Sequence, residues 1–273
     1  MPGAPDALYV RARRALLDAL EALGEQRTAV VLVGAQAVYL HTGEAALAVA
    51  PFTTDADLAL DPTLLAPEPQ IAGAMASGGF TRLEGNVGVW RSSRDDVTVD
   101  LLVPEAESGQ GRRSARLPDP HGNRVARRSR GLEGALVDKR EHDIAALEDR
   151  DPRQITIAVA GPAALLVAKL HKIADRRGDA RRLEGKDALD VLRLLRAIDT
   201  DDLAAGTRTL LANPRSVAVT REAIALLGEF FGAATAQGAL LVRFAVAGIE
   251  DPEPLVQSSV VLANDLLDAL RET

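Results

Sequence analysis

An apolar run that ends at a glycine constrains the fold of this 273-residue chain more than any other stretch of its sequence. The run Val30–Val33 is followed directly by Gly34 and Ala35. Beyond this point the apolar residues recur at helical spacing. The pattern predicts a buried strand over 28–33 that turns sharply into a helix over 35–41.

A second predicted strand, over 55–60, begins with two acidic residues. Asp55 and Asp57 are two positions apart, and because side chains alternate along a strand, both carboxylates lie on one face. Neighbouring carboxylates repel each other unless a cation lies between them, and Mg²⁺ takes one or two carboxylates together with substrate phosphates. The pattern therefore predicts phosphoryl-group chemistry on a nucleotide, with a solvated acidic pair at a strand edge as the alternative.

A third acid lies inside an apolar segment. Asp100 is surrounded by valines and leucines in a strand predicted over 97–103. An acid in such a strand is costly unless it is paired or binds a metal ion. Asp100 would complete a metal site with Asp55 and Asp57 and would take a proton from an attacking hydroxyl. The alternative is an ion pair with an arginine across the sheet.

The spacing of apolar residues divides the chain into two parts. Strand patterns are frequent up to residue 160, and from Gly161 onward the spacing is helical. This predicts an α+β fold, with a mixed α/β domain over 1–160 and an all-helical domain over 161–273. The other predicted strands cover 80–84, 87–92, 134–137, 142–147 and 154–160, with a polar loop over 105–123. The other predicted helices cover 6–25, 68–78, 162–177, 186–198, 200–212, 218–235, 238–246 and 254–271.

Two predicted helices place charges on faces that should pack inward. Lys169 lies between Leu165 and Ile173 on an apolar helix face, and Lys172 lies at the edge of that face. A lysine on a buried face needs an anion, and a triphosphate would serve, so Lys169 is preferred over Lys172 as the phosphate ligand. Asp187 in the next helix either forms a structural ion pair with Lys169 or orients it toward a nucleotide.

Basic residues are concentrated in one segment of an acidic protein. The net charge is −7, which argues against a general nucleic-acid coat protein. Between residues 111 and 131, however, seven arginines stand against the single acid Asp119. Such a segment would contact the phosphate backbone of a polyanionic acceptor, unless it is only a solvated charged loop. The candidate acceptor-binding residues are Arg112, Arg113, Arg127 and Arg128.

Composition excludes several other classes of protein. The chain has no cysteine, which excludes disulfides, zinc–thiolate sites and thiol catalysis. No apolar run approaches the roughly 20 residues that span a bilayer, and the first residues do not have the pattern of a secretion signal. We therefore expect a cytoplasmic protein without a membrane partner, and the oligomeric state is left open.

Taken in order along the chain, these motifs resemble those of a known family. Gly34-Ala35, Asp55-x-Asp57, the in-strand Asp100, Ala168-Lys169-Leu170 and Lys186-Asp187-Ala-Leu-Asp190 are similar to motifs of the AbiEii/AbiGii toxin nucleotidyltransferases. The similarity covers about residues 28–196. It extends in particular to the MenT-type toxins of mycobacteria, which belong to the polymerase-β-like nucleotidyltransferase superfamily.

The resemblance implies a fold and an activity. The fold would be a polymerase-β-like core, a mixed sheet flanked by helices, followed by an all-helical C-terminal domain that contributes to the active site. The activity would be Mg²⁺-dependent transfer of a nucleoside monophosphate from an NTP, with Mn²⁺ as an alternative cofactor. The acceptor of MenT-like members is the 3′ end of tRNA, and a cognate antitoxin protein counters the toxin.

The resemblance also assigns roles to individual residues. The metal ligands would be Asp55, Asp57 and Asp100, and Asp187 would position Lys169. One departure concerns the turn after the first strand, where Ala35 replaces the serine of the family. Two other functions therefore stay open: transfer to a small molecule or a protein side chain, and a catalytically degenerate scaffold that only binds nucleotides. The nucleotide-binding residues would be Gly34, Ala35, Thr54, Lys169 and Lys172.

Overall fold

The computed structural model describes residues 6–43, 53–177 and 185–272. In this part of the chain a mixed sheet is combined with nine α-helices. The strands are β1 Val30–Val33, β2 Asp55–Leu60, β3 Phe80–Arg82, β4 Val89–Ser92, β5 Thr98–Pro104, β6 Ser114–Arg116, β7 Asn123–Ser129, β8 Lys139–Ala145 and β9 Gln154–Ala160. The helices are α1 Ala7–Leu23, α2 Gly34–Thr42, α3 Ile71–Ser77, α4 Pro162–Asp175, α5 Gly185–Ala197, α6 Thr200–Ala212, α7 Val217–Phe231, α8 Gln237–Val246 and α9 Pro252–Arg271.

The sheet brings β1, β2 and β5 together at its centre. Its main path runs in the order β3-β4-β5-β2-β1-β9-β8, and β7 pairs with β5 and with β6. β1 is antiparallel to β2, with Val33 opposite Asp57. β2 is parallel to β5, with Asp57 opposite Asp100. The α+β fold expected from the sequence is thus confirmed, and its two acidic strands are direct neighbours.

The C-terminal helices share their core with the sheet. One continuous cluster of buried apolar side chains includes residues from β1, β2 and β5 and from the helices after Gly161. Helices α4 and α5 pack against α2, which follows β1 directly. The change from strands to helices occurs between β9 and α4. The division into domains 1–160 and 161–273 stays a prediction about folding units.

Two local predictions were wrong. The predicted strand over 134–137 is a 3-10 helix over 133–136, because the Gly134 carbonyl accepts hydrogen bonds from Val137 and Asp138 and closes a turn. Short apolar runs of this kind cannot be assigned from periodicity alone. The predicted loop over 105–123 contains β6, whose partner β7 has few apolar residues and owes its conformation to pairing with β5. None of the described helices combines the length and apolar character needed to cross a membrane.

Candidate active site

Three carboxylates lie on neighbouring positions of β2 and β5. Asp57 and Asp100 are register partners on adjacent parallel strands, and Asp55 lies two residues before Asp57 on the same face. Asp57 is only 7% exposed, and Asp55 and Asp100 are half-buried. We call Asp55, Asp57 and Asp100 the acid cluster.

Gly34 allows the start of α2 to pass directly beside this cluster. Its φ is +72°, a conformation that glycine adopts without steric cost. A Cβ atom at residue 34 would lie 2.0 Å from Asp57 Oδ2, so any other residue there would displace the Asp57 carboxylate. The neighbouring Ala35 is buried, and Thr54 is exposed beside Asp55. The free backbone N–H groups at the start of a helix such as α2 suit a phosphate.

The acid cluster is electrostatically unfavourable for two of its members. Burial and the neighbouring Asp57 raise the pKa of Asp100 to about 7, although Arg127 opposes this shift. Burial also raises the pKa of Asp57, with a further contribution from Asp55 that Lys172 partly offsets. Asp55 differs, because Lys186 and Thr53 outweigh its burial and lower its pKa.

Polar partners hold the two outer acids. Thr53 Oγ1 donates to Asp55 Oδ1 at 2.6 Å, and Lys186 Nζ lies 3.3 Å from Thr53 Oγ1 and 4.0 Å from Asp55 Oδ1. Arg127 Nη2 donates to Asp100 Oδ2 at 2.8 Å. Asp100 therefore forms the ion pair with an arginine that the sequence analysis gave as an alternative. It also lies beside Asp57.

The acid cluster fits a divalent cation in its chemistry. Its ligands would be carboxylate oxygens, and burial together with the neighbouring acids raises the pKa values of Asp57 and Asp100, a cost that a bound cation would offset. Within the described ranges, however, no three Asp, Glu, His or Cys side chains are gathered around one point as metal ligands. A cation there would compete with Arg127, which donates to Asp100, and with Lys186, which lies 4.0 Å from Asp55 Oδ1.

A second group of charges lies between α4 and α5. Lys169 is 3% exposed, and its Nζ lies 3.1 Å from Asp187 Oδ1 and 2.5 Å from Asp190 Oδ2. Arg176 Nη1 also donates to Asp187, at 2.7 Å. We call Lys169, Arg176, Asp187 and Asp190 the lysine cluster. It contains the structural ion pair that the sequence left as an alternative for Lys169.

Ion pairing sets the protonation of the lysine cluster. Burial alone would lower the pKa of Lys169, but Asp190 and Asp187 raise it well above its ordinary value. Burial would raise the pKa of Asp187, but Lys169, Lys172 and Arg176 hold it below its usual range. These charges neutralise one another in the native state.

The geometry favours Lys172 over Lys169 as a phosphate ligand. Both carboxylate partners of Lys169 are buried with it, whereas the side chain of Lys172 is 40% exposed. Lys172 also lies close enough to the acid cluster to lower the pKa of each of its members. We predicted Lys169 from the sequence because helical spacing shows that this lysine is buried. The spacing does not show whether its anionic partner is a phosphate or a carboxylate.

The four candidate acceptor-binding arginines differ in their surroundings. Arg127 adjoins the acid cluster, with its side chain 41% exposed. Arg128 donates to Gly109 O at 2.8 Å and to Gly111 O at 2.6 Å, and it also contacts Glu105. Its guanidinium thus holds the loop before β6. Arg112 and Arg113 are exposed on that loop.

Sequence reasoning missed several residues around the two clusters. Asp190 could have been found, because Asp187 and Asp190 are three positions apart and therefore share one face of α5. Lys186 lies in the same motif but received no role. Gln36 carried no local signal, since its contact with Asp55 joins segments that are distant along the chain. Thr53 is only two residues from Asp55, but its contact with Lys186 is with a distant helix.

Comparison with known proteins bears on this site. A family model described as Nucleotidyltransferase matches residues 11–209. The match covers well over half of the chain and includes both the acid cluster and the lysine cluster. A search of the curated proteins gave no match.

Proposed function

This chain belongs to the nucleotidyltransferase family and is a nucleotidyltransferase, and we propose that it transfers a nucleoside monophosphate from an NTP to the 3′ end of tRNA, as the toxin of a toxin–antitoxin system. The observation that carries the proposal is the acid cluster itself. Three carboxylates lie at neighbouring positions of two paired strands, beside the start of a helix and next to two lysines that are partly exposed. That arrangement suits a triphosphate.

The residues of the site divide the work of phosphoryl transfer. Backbone N–H groups of Gly34 and Ala35 with Lys172 and Lys186 would hold the phosphates. An oxygen of the acceptor forms a bond to the α-phosphorus, the bond from that phosphorus to the bridging oxygen breaks, and pyrophosphate leaves. Asp100, whose pKa is raised to about 7, would receive the proton of the acceptor hydroxyl, since a base acts best with a pKa near the working pH.

We propose Mg²⁺ as the cofactor, with Mn²⁺ as an alternative. Asp55 and Asp57 would hold it, and Asp100 would complete the site. When bound, a divalent cation neutralises charge on the triphosphate and on the entering and leaving oxygens. The support is the charge deficit at Asp57 and Asp100, both of which gain from a nearby positive charge.

Arginines support an RNA acceptor. Arg127 joins the acid cluster to the hairpin of β6 and β7, which also carries the exposed Arg116 and Arg124. Exposed Arg112 and Arg113 lie on the loop that leads into this hairpin. A phosphate backbone lying along the hairpin would bring its terminal hydroxyl toward Asp100. Arg128 would act indirectly, by fixing the loop.

The toxin role and the cognate antitoxin rest on the resemblance of the motifs to those of AbiEii/AbiGii-type toxins. A bound antitoxin would counter the activity by blocking either the acid cluster or the arginine hairpin. The acidic net charge of the chain is compatible with a local RNA contact of this kind, because the arginines are concentrated on one hairpin.

Incubation of the protein with each α-labelled NTP, Mg²⁺ and total RNA tests the proposal. We expect label from one NTP to enter the tRNA-sized fraction at its 3′ end, and we expect induced expression to stop growth. Label that enters a protein or a small molecule instead would show that this molecule, and not tRNA, is the acceptor. Metal-dependent NTP binding without transfer would instead support a catalytically degenerate scaffold. The observation behind that alternative is Ala35 in place of the family's serine.

A further inference from the structure

Within residues 6–43, 53–177 and 185–272, the amino end of β2 has no strand partner on the side of β1. Asp61 N–H donates to Ala29 O at 2.8 Å, which marks one hydrogen-bonded pair of the antiparallel ladder. Such pairs alternate along two antiparallel strands, so the pair of Val33 and Asp57 is also hydrogen-bonded. The next bonded position on β2 is Asp55. Its C=O therefore points to where β1 would continue, but there the chain has already turned into α2.

The side chain of Gln36 supplies the hydrogen bond that a neighbouring strand would otherwise give to Asp55. Gln36 is 1% exposed, and its Nε2 donates to Asp55 O at 3.2 Å. A buried carbonyl without a donor costs free energy comparable to a lost hydrogen bond. Because Gln36 is only two residues beyond Gly34, the same turn that brings α2 beside Asp57 also brings this amide to Asp55.

Arg13 of α1 fixes the orientation of the Gln36 amide. Arg13 Nε donates to Gln36 Oε1 at 3.0 Å. A guanidinium has only donors, so the amide oxygen must face Arg13 and the amide nitrogen must face Asp55. Arg13 is itself 4% exposed and donates to Ala145 O and Tyr9 Oη, each at 3.0 Å. A chain of hydrogen bonds thus runs from α1 to the first acid.

We infer that Gln36 is a positioning residue, which holds the backbone of Asp55 so that its carboxylate stays in the acid cluster. Thr53 Oγ1 donates to the side chain of Asp55 at 2.6 Å, and it lies 3.4 Å from Asp55 O, farther than the amide of Gln36 at 3.2 Å. Gln36 thereby fixes the position of the Asp55 backbone, and Thr53 fixes the orientation of the Asp55 side chain. The inference rests on the proposed function only for its effect on catalysis, since the effect on β2 is a property of the free protein.

The test is Gln36→Glu. A glutamate keeps the acceptor for Arg13 but turns an oxygen toward Asp55 O, so the two oxygens repel each other while the buried Arg13 gains an ionic partner. We expect kcat for nucleotide transfer to fall about ten- to a hundredfold, the scale of a small misplacement of a catalytic group. KM for the NTP and the melting temperature should change little. In the free protein, hydrogen exchange of amides in 53–57 should become faster.

Gln26 supplies the matched control. It is also 1% exposed, and its amide likewise bonds backbone, with Nε2 donating to Ala66 O and Pro69 O and Oε1 accepting from Ala66 N–H. Gln26→Glu makes the same chemical change away from the acid cluster. We expect it to lower the melting temperature and to leave kcat and the exchange of 53–57 unchanged.

Two results would overturn the inference. One is unchanged exchange of 53–57 and unchanged kcat in Gln36→Glu; the other is an equal loss of kcat in both variants, which would indicate general destabilisation. If Gln36→Glu does not fold, Gln36→Met removes the donor without adding charge and is judged by the same readouts. Absence of any transfer by the unmodified protein would contradict the proposed function alone, because the exchange experiment would still decide the role of Gln36.

Discussion

The acid cluster and the lysine cluster are both buried groups of charges, but they differ in how their charges are balanced. In the lysine cluster every carboxylate has a cation within ion-pair distance, and the pKa of Asp187 is lowered. In the acid cluster two neighbouring carboxylates have raised pKa values. The first group is complete in the folded chain, whereas the second gains from a positive charge supplied from outside.

This difference separates residues that support the fold from residues that await a ligand. Breaking a buried ion pair leaves an uncompensated charge and costs stability. Removing one of several repelling carboxylates relieves repulsion instead, and the cost falls on function. Variants of the two clusters should therefore change stability in opposite directions.

The largest expected effect is on activity, in Asp57→Asn. Transfer of labelled nucleotide should fall at least about a hundred- to a thousandfold, as when a group that stabilises transition-state charge is removed. The melting temperature in EDTA should rise, because one of the repelling charges is gone. Asp61→Asn is the control, since Asp61 at the other end of β2 is buried and paired with Arg215. The Asp61→Asn protein should lose stability and keep its activity. A destabilised or fully active Asp57→Asn protein would contradict the difference drawn here between the acid cluster and the lysine cluster.

Lys169→Met should have the largest effect on stability. Loss of the lysine removes the cation that lies 2.5 Å from the buried Asp190, while Asp187 keeps Arg176, and breaking a buried pair in this way costs about 3–5 kcal/mol of unfolding free energy. Denaturant melts measure the loss. Adding Asp187→Asn and Asp190→Asn to the same chain should restore part of it. A stable Lys169→Met protein with a raised KM for the NTP would return Lys169 to the role of phosphate ligand.

Lys172→Gln should have a smaller effect, confined to the nucleotide. The side chain is 40% exposed and its nearest carboxylate oxygen is 3.7 Å away on Asp187, so stability should change by less than about 1 kcal/mol. The KM for the NTP should rise about tenfold, the equivalent of one charge-assisted hydrogen bond. Steady-state kinetics measure the change. Lys139→Gln on the edge strand β8 serves as the control and should leave the KM unchanged.

The smallest expected effect is a pH dependence of the metal-free protein. The pKa of Asp100 is raised to about 7 in the folded state, above its value of about 3.9 in an unfolded chain. Its contribution to stability is therefore full below the unfolded pKa and is lost as the pH rises through 7. Between pH 5 and pH 8 in EDTA we expect the melting temperature to fall by about 5 °C. The Asp100→Asn protein should lack this part of the decrease, and identical curves for the two proteins would contradict the assignment.

Part of this comparison was accessible from the sequence. The shared face of Asp55 and Asp57 follows from strand alternation, and the inward position of Lys169 follows from helical spacing. The neighbourhood of β2 and β5 could not be derived in this way, because strand order depends on contacts between distant segments. For the same reason the arginine partner of Asp100 was an alternative without a residue number, and Gln36 carried no local signal.

The contact between residue 34 and Asp57 has a practical consequence. A single methyl group added there would meet the carboxylate oxygen at 2.0 Å and would force it aside. Gly34→Ala would thus disarm the protein while every ionisable side chain is retained. Because this substitution changes no charge, the inactive Gly34→Ala protein keeps the surface electrostatics of the unmodified protein. It is therefore suited to binding experiments that capture an RNA or an inhibitor protein.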